Sequence, residues 1–316
     1  MQRPGHIGSY YAASARAAPA RPALEASVEC DVCVVGAGIA GCSTALHLAR
    51  SGFSVVLLEQ HRVSWGASGR SGGQALFGIA AGQAKLERLI GAAGARAVWE
   101  VSVEALALTR DLIQRYSIEC DLMPGYLYTA VRERHVRELH EELAELRERL
   151  DYPSVRYVPR AELRELLATD RYLGALYDSN SAHLHPLNYT LGLARAAEQH
   201  GARIFEATRA RMLRVFPQLD GVRIDYAWGG HVDITLNRAP HFGRLAPNVY
   251  FLQGFSGHGI ALTGIAGNLV ADAIRGTAER FDVFARIPHA NFPGGAALRR
   301  PGLVLAMLWY RLRDLL

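Results

Sequence analysis

Gly36, Gly38 and Gly41 are the residues in this chain whose type and spacing most directly imply chemistry. They stand in GxGxxG order inside DVCVVGAGIAGCSTALHLARSGFSVVLLE, residues 31–59. The first glycine allows a tight turn, the second lets backbone approach a pyrophosphate, and the third lets a helix pack close to a strand. The flanks carry the rest of the unit. Val32–Val35 is a short apolar run suited to a buried parallel strand. Ala45, Leu46, Leu48 and Ala49 continue as the inner face of a helix that Gly52 ends. Residues 54–58 form a second strand, and Glu59 closes it where a carboxylate accepts the hydroxyls of an adenosine ribose. A lone GxGxxG is weak, but here strand, glycines, helix, strand and acid follow in order. Ile39, Ala40 and Gln60 lie beside these residues and belong to the same candidate site.

Two more glycine-rich stretches extend the pattern. Residues 64–74, SWGASGRSGGQ, are too rich in glycine for a regular helix or strand. Ser68, Arg70, Ser71, Gly72, Gly73 and Gln74 can present backbone N–H groups to an anion or a flat ring. Near the other end, a strand over residues 248–252 runs into Gly254-Phe255-Ser256-Gly257-His258-Gly259, and an apolar helix over 260–274 follows, stopped by Gly276. A helix N-terminus carries partial positive charge and unpaired N–H donors. Two such elements far apart in the chain imply one long ligand gripped by both, as FAD would be, more than NAD held by a single Rossmann half. An NAD-dependent dehydrogenase explains Gly36 to Glu59 but leaves the second element without a purpose.

Other elements must position these residues. Residues 84–118 read as helical, with Arg88, Arg96 and Arg110 on polar faces, and residues 125–130 as a short strand. Residues 131–150 carry Val131, Val136, Leu139, Leu143, Leu146 and Leu150 as a narrow stripe with Glu and Arg filling the rest, the pattern of a solvated helix packed by one face. Residues 186–200 form a helix closed by Gly201, and residues 202–206 a strand that feeds the first sheet. Residues 222–228 read as a further strand. His183 and His185, at a helix start, read as structural.

Composition bounds the class. Half of the 316 residues are hydrophobic, enough for about two domains. The formal charge is +5, yet Lys85 is the sole lysine and the arginines are scattered among acids, which is no nucleic-acid footprint. Cys30 and Cys33 form a CxxC, but no second pair completes a metal site, so they read as small buried hydrophobes and no metal is expected. Few cysteines without a pairing pattern fit a reducing, cytoplasmic compartment. Residues 1–29 lack the apolar core of a signal peptide. The apolar tail at 303–316 is interrupted by Arg311, Arg313 and Asp314 and is too short to span a bilayer, so it reads as a docked helix.

DVCVVGAGIAG, GASGRSGGQ, the HPLN at residues 185–188 and YFLQGFSGHG together resemble the D-amino-acid-oxidase superfamily of FAD oxidoreductases. Within it, SYYAAS, FPQLDGVRIDYAW and ERFDVFARIPHANFPGG resemble the γ-glutamylputrescine oxidase group. The resemblance implies an α/β fold, with a Rossmann-like FAD domain of the glutathione-reductase type beside an α+β substrate domain built on an antiparallel sheet. It implies Gly36, Gly38 and Gly41 against the pyrophosphate and Glu59 on the ribose. Arg70, Gly72 and Gly73 would line the flavin side, with Ser256 to Gly259 at the ring. It also implies oxidation of the C–N bond of an amine or amino-acid-like substrate, γ-glutamylputrescine among them. Hydride passes to flavin N5, the imine hydrolyses, and oxygen restores the flavin with release of hydrogen peroxide. Polyamine catabolism is the implied setting. His258 serves either as a hydrogen-bond partner of flavin or substrate or in packing. Trp228 is either an aromatic wall of the substrate site or a buried strand residue. With no cysteine beyond Cys120, noncovalent FAD is expected.

The chain departs from the family after about Arg209. There Thr208-Arg209-Ala210-Arg211 leads almost directly into MLRVFPQL, which in relatives belongs near the far end. On the order of a hundred residues, a small domain's worth, are missing from the substrate domain. The expected organisation is an arm (1–28), an FAD-binding βαβ with glycine loop (29–82), helical and substrate-domain elements (83–185), a return to the FAD domain (186–210), a substrate-domain remnant (211–247), an FAD-binding strand-loop-helix (248–276) and a tail (277–316). Two functions follow from the deletion: a working amine oxidase with a shortened substrate domain, or an FAD-binding remnant without catalysis.

Overall fold

The computed structural model describes residues 5–208 and 234–290. The readings of a strand at 222–228, of Trp228 and of a docked tail helix at 303–316 lie outside the described residues. The first sheet is parallel: β1 (Val32–Val35), β2 (Val55–Leu58) and β7 (Arg203–Phe205) stand in the order β1-β2-β7. Val34 lies opposite Leu57, which lies opposite Ile204. All four residues of β2 are buried, as a central parallel strand requires, and β2 feeds from helix α2 (Ile39–Arg50), whose inner face is Ala45, Leu46, Leu48 and Ala49. Strand β1 is the sheet's edge among the described residues, and Val35 at its end is 55% exposed. For that reason Cys30 and Cys33 are half-buried rather than buried as their types suggested, whereas Cys42 and Cys120 are buried.

The glycine-rich stretch contains more regular structure than its composition suggested. A 3-10 turn forms over Ala67–Arg70, followed by a two-residue strand, β3 (Gln74–Ala75). Strand β3 leads into a second, antiparallel sheet centred on β6 (Gly174–His183). Strand β4 (Met123–Ala130) pairs along one edge of β6, while β3 and β5 (Val155–Pro159) pair along the other. Helix α3 (Gln83–Arg115) breaks at Gly91, whose φ of +77° only glycine adopts without strain. Helix α4 (Glu133–Ala144) continues as a π-turn (Glu145–Arg149), and its stripe, with Leu139 and Leu146 buried, packs against Trp99, Tyr152, Val155 and Leu176. Helix α5 (Arg160–Leu166) and then α6 (Pro186–Gln199) complete this half.

The strand read at 248–252 is β9 (Val249–Gln253). It pairs with β8 (His241–Ala246), a partner its sequence did not announce, in a two-stranded sheet of its own. Helices α7 (Gly259–Ile274) and α8 (Glu279–Ala285) follow, and Phe242, Phe281 and Phe284 stack behind the hairpin. The N-terminal arm, with its short helix α1 (Tyr10–Ala13), lies along the first half. Arg21 is almost wholly buried, donates to Glu198 at 2.6 Å and 2.8 Å, and faces Glu206 at 3.7 Å.

His47, buried on α2, has a ring Nε2 without a partner. Burial, then Arg50, Arg275 and Arg115, pushes its pKa down from 6.5 to about 4. The unfolded chain binds this proton near pH 6.5 and the folded chain only near 4, so stability is full above 6.5 and falls as pH drops through that window. The loss between pH 7 and pH 5 is about 2 kcal/mol. Urea unfolding at both pH values checks it. His47→Gln should flatten the dependence by that amount, and an unchanged slope would remove His47 as its source.

Candidate cofactor and substrate site

Two glycine turns define the site. At the first, Gly36 takes φ +96° and donates to the Leu58 carbonyl at 2.8 Å, which ties the turn to β2. A Cβ at Gly41 would sit 1.9 Å from the Gly36 carbonyl oxygen, so the start of α2 rests directly on the turn. The Glu59 carboxylate bridges the end of β2 to this turn, accepting from the backbone N–H of Ala37 and of His61, each at 2.8 Å. Its place beside the turn is the one the sequence pattern requires. The Ser68 hydroxyl accepts from the Ile39 N–H at 3.0 Å and lies over Gly38. Ile39 is buried, Ala40 half-buried and Gln60 exposed.

Beyond Ser68 the loop folds back on itself. Arg70 donates to the Gly66 carbonyl at 3.2 Å, its guanidinium lies 5.1 Å from the Trp65 ring centroid, and its Nη2 is buried without a hydrogen-bond partner. Trp65 in turn stacks on His61 at 3.9 Å. Gly73 takes φ +75°, and a Cβ there would meet the Leu184 carbonyl oxygen at 2.2 Å. The Ser71 hydroxyl accepts from the Gly73 N–H. Gly72 and Gln74 are exposed. His185 is structural, as its place at a helix start implied, but sequence reasoning missed the arm that lies against it. His185 caps α6 by accepting from Asn188 N–H, the Ser14 hydroxyl meets its Nε2 at 3.1 Å, and Tyr11 stands edge-on to its ring. Tyr11 also approaches Gly73, so the arm buttresses the loop from outside. The pair of tyrosines beside Ser9 was the available signal.

At the second turn, Gly254, Ser256 and Gly257 all take positive φ. The Ser256 hydroxyl donates to the Gly254 carbonyl at 3.1 Å and accepts from Thr235 N–H. His258 precedes Gly259 at the start of α7; its Nδ1 is buried and has no hydrogen-bond partner, and burial lowers its pKa, keeping the ring neutral. The turns are held side by side because α7 packs on α2 at van der Waals limits. A Cβ on Gly267 would lie 2.6 Å from Thr44 N, and the Ser43 hydroxyl donates to the Gly264 carbonyl.

His258 also faces a cavity of about 820 Å³ between the start of α3, β4 and α4. Phe77, Trp99, Tyr126 and Tyr128 give it aromatic walls. Glu138, Glu141, Glu142 and Glu145 line it from α4 and the π-turn, a face that read as solvated in sequence. The Glu142 carboxyl is pushed above its usual range by burial and by Glu145. Two open glycine turns, an orphaned Arg70 nitrogen and an orphaned His258 nitrogen fit a dinucleotide whose ring end meets this cavity.

The profile of the DAO family, FAD dependent oxidoreductase, matches residues 31–214 and again 206–273. The chain belongs to this family. Its cofactor is FAD, and the NAD-dehydrogenase reading is set aside. It is similar to γ-glutamylputrescine oxidoreductase of Escherichia coli (strain K12), 33% identical over an aligned length of 420 residues that takes in 98% of each chain. It is also similar to the probable oxidoreductase OrdL of Haemophilus influenzae, 32% identical over 98% of this chain and 97% of that one. That aligned length exceeds the 316 residues of this chain, so long stretches of both relatives lie opposite gaps. The fold is shared with glycine oxidase from Geobacillus kaustophilus (TM-score 0.60, 16% identity, 78% of this chain and 94% of that one). It is shared also with L-amino acid deaminase from Proteus vulgaris (TM-score 0.60, 16% identity, 86% and 93%).

Gly41→Ala forces α2 off the Gly36 turn. Overpacking of this kind costs about 1–3 kcal/mol, and borne by the holo state it weakens FAD binding by about tenfold or more. Flavin retained per protein after gel filtration measures it, and retention equal to that of the unsubstituted protein would show that the turn does not hold the cofactor.

Proposed function

We propose that the chain oxidises the C–N bond of a small amine, with γ-glutamylputrescine as the first candidate, and that oxygen is the final acceptor with release of hydrogen peroxide. Bound noncovalently, FAD supplies the two-electron acceptor. The observation that carries the reading is the meeting of two glycine turns with an aromatic, acid-lined cavity at His258. Gly36, Gly38, Ile39, Ala40 and Gly41 hold the pyrophosphate at the positive end of α2, and Glu59 with Gln60 takes the adenosine end. Ser68 to Gln74 lie along the flavin, with Arg70 supplying the free N–H. Gly254 and Ser256 to Gly259 bring the start of α7 to its polar edge, where a helix N-terminus stabilises negative charge. Phe77 and Trp99 exclude water from the reacting carbon, and His258, neutral in its buried setting, orients the amine through Nδ1. The relative's name supports a polyamine setting. Among the described residues no helix is long and apolar enough to cross a membrane, and the four free cysteines suit the cytoplasm.

A second reading has its own observation. Strands β1 and β4 each carry one edge without a partner strand among the described residues. The family profile matches in two pieces that meet at 206–214. Both support loss of a middle section, which leaves an FAD-binding remnant with an impaired substrate domain as the alternative. Anaerobic addition of an amine to the flavin-loaded protein separates the two. Bleaching of the flavin spectrum, then peroxide on admitting air, is expected. Retained flavin that no amine bleaches would replace the oxidase with the remnant.

A further inference from the structure

The amine-oxidising reading leaves unassigned what the far end of the cavity recognises. Glu142 is half-buried on α4, and its carboxylate makes no hydrogen bond or ion pair among the described residues, although the chain is rich in arginine. Its neighbour Glu145 differs: Arg149 holds it at 2.5 Å and ties it to Glu87 on α3. Lys85 and Arg88 line the same cavity from α3, yet neither pairs with an acid among the described residues. A desolvated carboxylate without a partner is costly, and the cost is relieved when a cation enters. The aromatic faces point the same way. Tyr126 and Tyr128 line the cavity beside Glu142; burial and then Glu142 raise the pKa of both, and Tyr128 leaves 53% of its surface open. Rings next to a free carboxylate make a site for an ammonium group, through ion pairing and the ring quadrupole. His258, with its own unpartnered nitrogen, faces the cavity from the cofactor side, so two positions in one cavity await polar groups.

We propose that Glu142, flanked by Tyr126 and Tyr128, binds a second ammonium group of the substrate, remote from the amine that is oxidised. The chain then selects amines that carry two cationic groups over monoamines of the same length. This rests on the amine-oxidising reading of the cavity but is tested without turnover.

Anaerobic calorimetric titration of the protein, its bound FAD first reduced with dithionite so that no amine can be oxidised, with 1,4-diaminobutane and with n-butylamine measures the preference. The diamine should bind about tenfold more tightly, as one desolvated ion pair with ring contacts provides. Glu142→Gln should bring the two affinities together, and Tyr128→Leu should reduce the ratio in part. Lys85→Met should not reduce it. Equal binding of the two amines, failure of the diamine to bind, or a preference that survives Glu142→Gln would overturn the assignment. The two readings fail separately. Amines that bleach the flavin without any diamine preference leave oxidation standing and remove the Glu142 site. A Glu142-dependent diamine preference without bleaching leaves the site and removes oxidation.

Discussion

Everything at the site depends on how closely α2 and α7 approach each other. Each begins at one of the glycine turns, and each turn is useful only if the other lies beside it. Gly267 on α7 meets Ser43 and Thr44 on α2 with no room for a methyl group, and the Ser43 hydroxyl ties the contact by donating to the Gly264 carbonyl. Interiors packed to this density transmit small displacements instead of absorbing them. The two packed helices come from segments more than two hundred residues apart in the chain, and in the proposed site their positive ends serve one anionic ligand.

The same packing explains why the site is dry where it needs to be and charged where it does not. The cavity that His258 lines has Phe77 and Trp99 in its wall, and burial alone keeps the imidazole neutral. Further out, α4 turns a row of glutamates toward the cavity, while its leucines anchor it to Trp99 and Tyr152. The helix is amphipathic, but its polar face is divided between solvent and the cavity. No periodicity argument separates those two uses, because both require the same residue types at the same spacing.

That limit recurs across the chain. The first βαβ unit was legible because each part has a local cause: β-branched runs for strands, glycines where φ must be positive, a carboxylate at a strand end. Helix α4 was legible from its stripe, α3 from the arginines on its polar faces, and α6 and α7 from the glycines that stop them. The second sheet was not, apart from β4. Its central strand β6, GALYDSNSAH, alternates poorly and owes its burial to pairing with three other strands. The role of the arm was equally hidden. Arg21 reads as one more arginine in a basic tail, and only the fold brings Glu198 and Glu206 to it. Of the candidate site, the cofactor residues were legible as a set of turns. The acidic wall was not, since its meaning comes from which side of α4 faces the cavity.

The open edges bear on how much of an enzyme this chain retains. In a doubly wound sheet the strand that carries the phosphate turn has neighbours on both sides. Here β1 has only β2 among the described residues, and Val35 is left exposed at its end. On the second sheet β4 has no partner strand along its outer edge among the described residues, with Met123 and Tyr128 exposed on it. Unpaired edges invite association with other chains, so a lost middle section endangers solubility first. Cofactor binding is less exposed to that loss. Gly36 is fixed by Leu58, Glu59 by Phe205 and Thr208, and α2 by α7, all from segments on the intact side of β1. The cavity is in the opposite position, since β4 supplies both of its tyrosines from an edge strand. Grip on the cofactor and shape of the cavity therefore rest on separate parts of this fold.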